Sequence, residues 1–129
     1  QNASHHVKIF PYALGNENTM VSFGAGTGTG TGRVTAQGDS LVPLRRLDDI
    51  AREEMMLPTH VKIDVEGYEL DVLLGGEMTI RKNKPTLFIS THNSLNIGVH
   101  EACLKLLDRW GLICNPIGEG RIEDATELF

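Results

Sequence analysis

At 129 residues the chain is long enough for one hydrophobic core and too short for two, so a single domain spanning 1–129 is expected. Apolar residues at 40% and charged residues at 22% exclude the composition of a disordered segment. Twelve Lys and Arg against 17 Asp and Glu leave a net charge of -5, which argues against nucleic acid or an anionic membrane as partner. Two cysteines, Cys103 and Cys114, are too few for a disulfide scaffold and lack metal-ligand spacing, and no run approaches ~18 apolar residues. The chain opens at Gln1 without a basic and then apolar leader, so a reduced, cytoplasmic domain is expected, and the glycosylation triplet Asn2-Ala3-Ser4 would matter only in a secreted protein.

Val7 to Phe10 is a short apolar run stopped by Pro11, which cannot donate to a ladder, and it predicts a first strand. Met20 to Phe23 predicts another. From Gly24 to Gly32 five glycines alternate with small residues, the composition of a flexible connector. A phosphate cradle fails there because the glycines all have even numbers, so the i, i+2, i+5 dinucleotide pattern is never met, and Gly32 is followed by Arg33 rather than Lys. Leu41 to Leu44 is a further apolar stretch, after which Asp48 or Asp49 can cap a helix running to Met56 before Pro58.

Val61 to Val65 is β-branched and apolar, Glu66-Gly67 turns the chain, and Tyr68 to Arg81 carries Glu69, Val72, Leu73, Gly76 and Ile80 at helical spacing. The nearly unbroken apolar run from Thr86 to Thr91 predicts a strand covered on both faces. Val99, Ala102, Cys103, Leu106, Leu107 and Trp110 predict an amphipathic helix closed by Gly111, with Trp110, Met55 and Met56 at or near the core. Leu112 to Cys114 and Arg121 to Phe129 predict two last strands. The order of elements is that of a parallel α/β sheet with an antiparallel finish.

Ligands in such sheets sit beyond the carboxyl ends of the strands, where Asp64 and Glu66 follow one strand and Ser90, Thr91, His92 and Asn93 the next. Strands paired about 4.8 Å apart would bring Asp64 to His92. A carboxylate beside an imidazole can raise and orient a general base, or the two can share a divalent ion. Asp64 and Glu66 can also simply cap the following helix. Glu69 reads as a helix-face residue, and His5, His6, His60 and His100 as surface residues, since none shares the i, i+4 spacing of a helical metal pair.

The run Val61-Lys62-Ile63-Asp64-Val65-Glu66-Gly67-Tyr68-Glu69, with Val72-Leu73, Gly75-Gly76 and Lys84-Pro85 after it, resembles the signature block of the FkbM-type methyltransferases. Leu47-Asp48-Asp49 resembles the family's Leu-Asp ahead of that block, and Pro11 to Gly15 its Ala-Leu-Gly segment after the third strand. The resemblance covers residues 7 to 115. It implies a partial Rossmann-like class I methyltransferase sheet, mostly parallel with an antiparallel C-terminal strand pair. It also implies S-adenosylmethionine as donor and O-methylation of a hydroxyl on a small molecule or sugar. Asp64 and Glu66 would border the reaction centre at the end of the fourth strand, His92 would follow the fifth, and Ala13 with Asp64 would border the donor. Ser90 stands where the family frequently has glutamate, so no role is carried over to it. By the same resemblance the first two strands of the family's sheet would be missing, and the chain alone is expected to be unstable, weak in donor binding and inactive. Two other classes fit the residues: a non-catalytic α/β interaction module, and a metal-dependent hydrolase using Asp64, Glu66 and His92.

Overall fold

The computed structural model describes residues 7–24, 32–36, 38–124 and 126–128. The triplet at 2–4, His5, His6 and most of the glycine-threonine run lie outside them.

The described residues form two sheets. The first contains β1 (Ala13–Leu14), β2 (Thr19–Gly24), β3 (Arg33–Val34) and β4 (Ser40–Arg45) in the order β1-β4-β2-β3. The second contains β5 (His60–Asp64), β6 (Thr86–Ser90) and β7 (Glu127–Leu128) in the order β5-β6-β7. β5 and β6 run parallel with Asp64 opposite Ser90, and β7 closes antiparallel to β6. The parallel pair therefore matches expectation, whereas of the antiparallel strand pair expected at the C-terminal end only β7 forms. The mostly parallel sheet is not observed: β1 pairs β4 in parallel, but β2 runs antiparallel to both β3 and β4.

Val7 to Phe10 forms no strand; Val7 and Ile9 are exposed, and Pro11 keeps the run from continuing into a ladder. Leu112 to Cys114 is likewise unpaired. Pro116 supplies only a single bridge to Leu128, and Gly118 and Gly120, at φ of 102° and 135°, turn the chain into a 3-10 turn at Ile122–Asp124 before β7. β6 is not covered on both faces. Leu87 and Ile89 point inward while Phe88 is exposed, the alternation of a sheet with one solvated face.

Among the described residues there are four helices: α1 (Leu47–Glu53), α2 (Glu69–Gly75), α3 (Glu77–Asn83) and α4 (Val99–Arg109). The single helix expected from Tyr68 to Arg81 is two. At Gly75 an added Cβ would lie 1.9 Å from the Gly15 carbonyl oxygen, so α2 ends against the backbone after β1, and Gly76 leaves helical geometry at φ -111°, ψ 9°. Asp48 closes the new helix start. Rather than capping its own helix, its carboxylate accepts the Thr79 N–H at 2.8 Å and the Met78 N–H at 3.2 Å. α4 ends as expected, with Gly111 at φ 72° and the Leu112 N–H returning to the Leu107 carbonyl.

The core lies between the second sheet and α2, α3 and α4, around Ile63, Leu73, Ile80, Ile89, Cys103 and Leu128. Each such aliphatic side chain contributes about 1.5–3 kcal/mol by leaving water. Trp110 packs partly against this core, whereas Met55 is 87% exposed, because α1 ends at Glu53 and the chain has already turned outward. Among the described residues no helix is long and apolar enough to cross a membrane.

Candidate active site

The parallel register of β5 and β6 brings their carboxyl ends level, and the side chains expected to meet do so. His92 Nε2 lies 3.5 Å from Asp64 Oδ1 and 3.8 Å from Glu66 Oε2. One ligand atom from each of the three residues can be chosen so that all lie within 4.8 Å of one another. Asp64 is the most exposed of the three, and its other oxygen, Oδ2, faces Lys62 Nζ at 3.1 Å.

Behind the imidazole stands Glu69. Its Oε1 accepts the His92 Nδ1–H at 2.7 Å and the Gly67 N–H at 2.9 Å, while Oε2 is buried without a partner. The expectation of a helix-face residue is corrected here: Glu69 has no exposed surface. The signal was present in the sequence. Glu69 precedes Val72, Leu73 and Gly76 at three, four and seven, so it shares their face, which is the face that packs on the sheet.

The turn between β5 and α2 is built to hold these groups. Glu66 and Gly67 both take positive φ, 54° and 101°; Gly67 does so freely, whereas Glu66 carries the strain of a side chain in that region. Asn96 donates from Nδ2 to the Gly67 carbonyl at 2.7 Å, and the Leu95 and Asn96 N–H groups return to the His92 carbonyl. The segment after β6 thus folds over the turn after β5 and fixes His92 against it.

Burial disfavours charge on His92, but the hydrogen bond to Glu69 and the carboxylates of Glu66, Glu69 and Asp64 outweigh it and raise the imidazole pKa above its ordinary value. With Nδ1–H committed to Glu69, the neutral ring presents the Nε2 lone pair to the other two carboxylates.

Asp64 also lines a cavity of about 300 Å3 with Ala13, Tyr12, Phe23, Arg33 and Tyr68, so the two residues expected beside a donor line the same space. An adjoining cavity of about 250 Å3 is lined by Glu66, Gly67, Tyr68, Arg33 and Asn96. A third of about 310 Å3, between α4 and the other end of β6, contains no charged side chain. His60 stays at the surface, but His100 does not. It is buried, with Nδ1 2.9 Å from the Thr91 hydroxyl and Nε2–H donating to the Ile122 carbonyl at 2.8 Å, and it ties α4 to the residue after β6 and to the 3-10 turn.

This geometry, acids after one parallel strand and a histidine after the next, accompanies a sequence that matches the family model of the methyltransferase FkbM domain over residues 2–111. The fold is similar to the crystal structure of methyltransferase FkbM from Methylobacillus flagellatus KT. The TM-score is 0.60 at 19% identity, over 98% of this chain and 28% of that one. The comparison with curated proteins gives no match. The family match takes in β1 to β6, all four helices and each of Asp64, Glu66, Glu69 and His92, and on it the chain belongs to the methyltransferase FkbM domain family.

Proposed function

We propose that the chain serves an S-adenosylmethionine-dependent methyltransferase that methylates a hydroxyl of a small molecule or sugar, with that hydroxyl lodged against Asp64, Glu66 and His92. The observation that carries this reading is the convergence of the three side chains around Asp64, which itself lines the cavity that Ala13 also lines. When bound, the donor supplies an electrophilic methyl on a sulfonium, so that an O–C bond forms as the S–C bond breaks and the hydroxyl proton is left for the protein to remove.

The cavity suits part of such a donor. Tyr12, Phe23 and Tyr68 offer flat apolar surfaces for a base, and Asp64 offers a carboxylate to hydroxyls or to the sulfonium. Glu69 holds the imidazole in one tautomer and one orientation, as an orienting carboxylate does behind a catalytic histidine. Asp64 and His92 are then the groups within reach to polarise or deprotonate the acceptor. Because the cavity is small and presents one carboxylate, this chain alone is expected to hold the donor more weakly than micromolar, a value that calorimetry reads directly.

The chain alone is expected to give no product, so the activity is tested on the longest polypeptide its gene encodes, incubated with methyl-labelled donor in excess and a panel of sugar and small-molecule alcohols, with the product identified by mass and NMR. An O-methyl ether is expected, with kcat lowered about 10²-fold or more in Asp64→Asn. Label that appears only on nitrogen or sulfur, or an Asp64→Asn protein as fast as the parent, overturns the reading.

A further inference from the structure

The geometry points to a divalent transition-metal site formed by Asp64, Glu66 and the Nε2 of His92, with Glu69 as the carboxylate that aims the imidazole. This rests on the reading of the same cluster given above and names how its three groups act together on a hydroxyl.

Three electron-pair donors converge on one point. A proton on His92 can satisfy one of the facing oxygens at a time, whereas a cation between the groups satisfies all three. Among the described residues the salt-bridge partner of Glu66 is His92, and Lys62 is engaged by the outer oxygen of Asp64, not the inner one. An ion bound at about 2.0–2.2 Å requires ligand atoms roughly 3–3.5 Å apart. The observed 3.5 Å and 3.8 Å come close, and rotation of the partly exposed Asp64 and Glu66 side chains supplies the remainder.

Glu69 is an independent reason. Its carboxylate is completely buried, one oxygen has no partner, and the other accepts the Nδ1–H of the imidazole whose Nε2 faces the site. A carboxylate–histidine–metal relay has this form: the outer carboxylate fixes the tautomer and makes the ligand nitrogen more basic, and the ion's charge offsets the buried carboxylate. A ligand set of one nitrogen and two oxygens favours Mn2+, Co2+ or Zn2+ over Mg2+ and Ca2+, which take oxygen. Three protein ligands leave coordination positions on the solvent side for a small oxygen ligand, the class to which an acceptor hydroxyl belongs.

The test is Co2+ binding to chelator-treated protein carrying His5→Ala and His6→Ala, so that the adjacent histidine pair adds no second site. One Co2+ per chain is expected by calorimetry, with visible absorption bands and displacement by Zn2+. Glu66→Gln and His92→Gln should each weaken binding at least tenfold. Glu69→Gln, which removes no ligand, should weaken it about 10- to 100-fold. Circular dichroism and thermal unfolding establish that each variant is folded; Glu66, at a partly exposed turn, is the variant least exposed to that concern. Absence of Co2+ and Zn2+ binding in the parent, or undiminished affinity in folded Glu66→Gln, overturns the metal site. The two readings fail separately: methyl transfer that persists in a protein unable to bind Co2+ removes the ion and leaves the methyltransferase, and stoichiometric Co2+ binding without methyl transfer does the reverse.

Discussion

Asp48 on α1 caps α3, not α1: its Oδ1 accepts the Thr79 N–H at 2.8 Å across a separation of 31 residues, and its Oδ2 accepts the Met78 N–H. Arg46 contributes a longer contact to Oδ2 at 3.4 Å. The carboxylate is buried, so the bond does more than an ordinary exposed cap. It answers the amide groups that the interruption at Gly76 leaves open, and it holds α1 to α3.

Asp48→Ala should therefore cost about 2–3 kcal/mol, more than a surface cap, because two N–H groups lose a charged acceptor in a place water reaches poorly. Asp48→Asn keeps one acceptor oxygen and should cost about half as much. Urea unfolding measures both, and a loss below ~0.5 kcal/mol for Asp48→Ala would show that α3 does not depend on this cap.

Gly75→Ala tests the reason for the interruption. A methyl group there would meet the Gly15 carbonyl oxygen at 1.9 Å, and neither partner is a flexible side chain. The helix-propensity gain of roughly 0.5–1 kcal/mol is outweighed by a backbone displacement of about 3 kcal/mol, for a net loss of about 2. Gly98 is the control. It has φ 86° and open space around it, so Gly98→Ala should lose only the conformational cost of about 1 kcal/mol. Equal losses at the two positions would mean that close approach is not what Gly75 provides.

These two residues also mark how far the sequence carries. β5, β6 and α4 were legible because their patterns are local: β-branched runs with punctuation, and apolar residues at three and four. The meeting of Asp64 with His92 was legible too, since consecutive parallel strands place their ends together. The break at Gly76 was not, because 68–81 is periodic throughout and the obstacle, the Gly15 carbonyl, lies 60 residues earlier in the chain. The expected strands at 7–10 and 112–114 fail for a related reason. An apolar run proposes a strand, but only a partner completes one, and no described strand runs beside either segment. Glu69 and His100 share one lesson. Each lies on the buried face of its helix, where position decides burial over residue type, and polar residues on that face signal a buried hydrogen-bonded pair.

His100→Leu should expose that second pair. The substitution fits an apolar face but strands the Ile122 carbonyl and leaves the Thr91 hydroxyl with the Thr126 carbonyl alone, at a cost of about 1–3 kcal/mol. The loss should be local first. Amide hydrogen exchange should accelerate in the turn at Ile122–Asp124 and in β7 while β5 and β6 remain protected, because His100 is the side chain that fastens this turn to α4. Uniform acceleration across the sheet would instead make His100 part of the global core.

Cys103 provides a pH dependence whose sign can be worked out. Burial raises its thiol pKa to about 12 from 9.0, and the nearby charges of Glu69 and Asp71 push the same way. Below 9.0 both folded and unfolded chains hold the thiol proton, and the stabilisation is fully present. Between 9.0 and about 12 the unfolded thiol ionises while the folded one does not, so the folded state is favoured progressively less as pH rises through this window. Cys103→Ala should lose stability at neutral pH from the missing sulfur, yet show a shallower decline through that window than the parent. The same burial sets reactivity. Near neutral pH the folded thiolate population is about a thousandfold below that of an ordinary cysteine, so iodoacetamide should label Cys103 only as fast as the protein opens, with the rate restored in urea. Labelling of the folded protein at the urea rate, followed by peptide mass mapping to Cys103, would show that α4 does not seal this position.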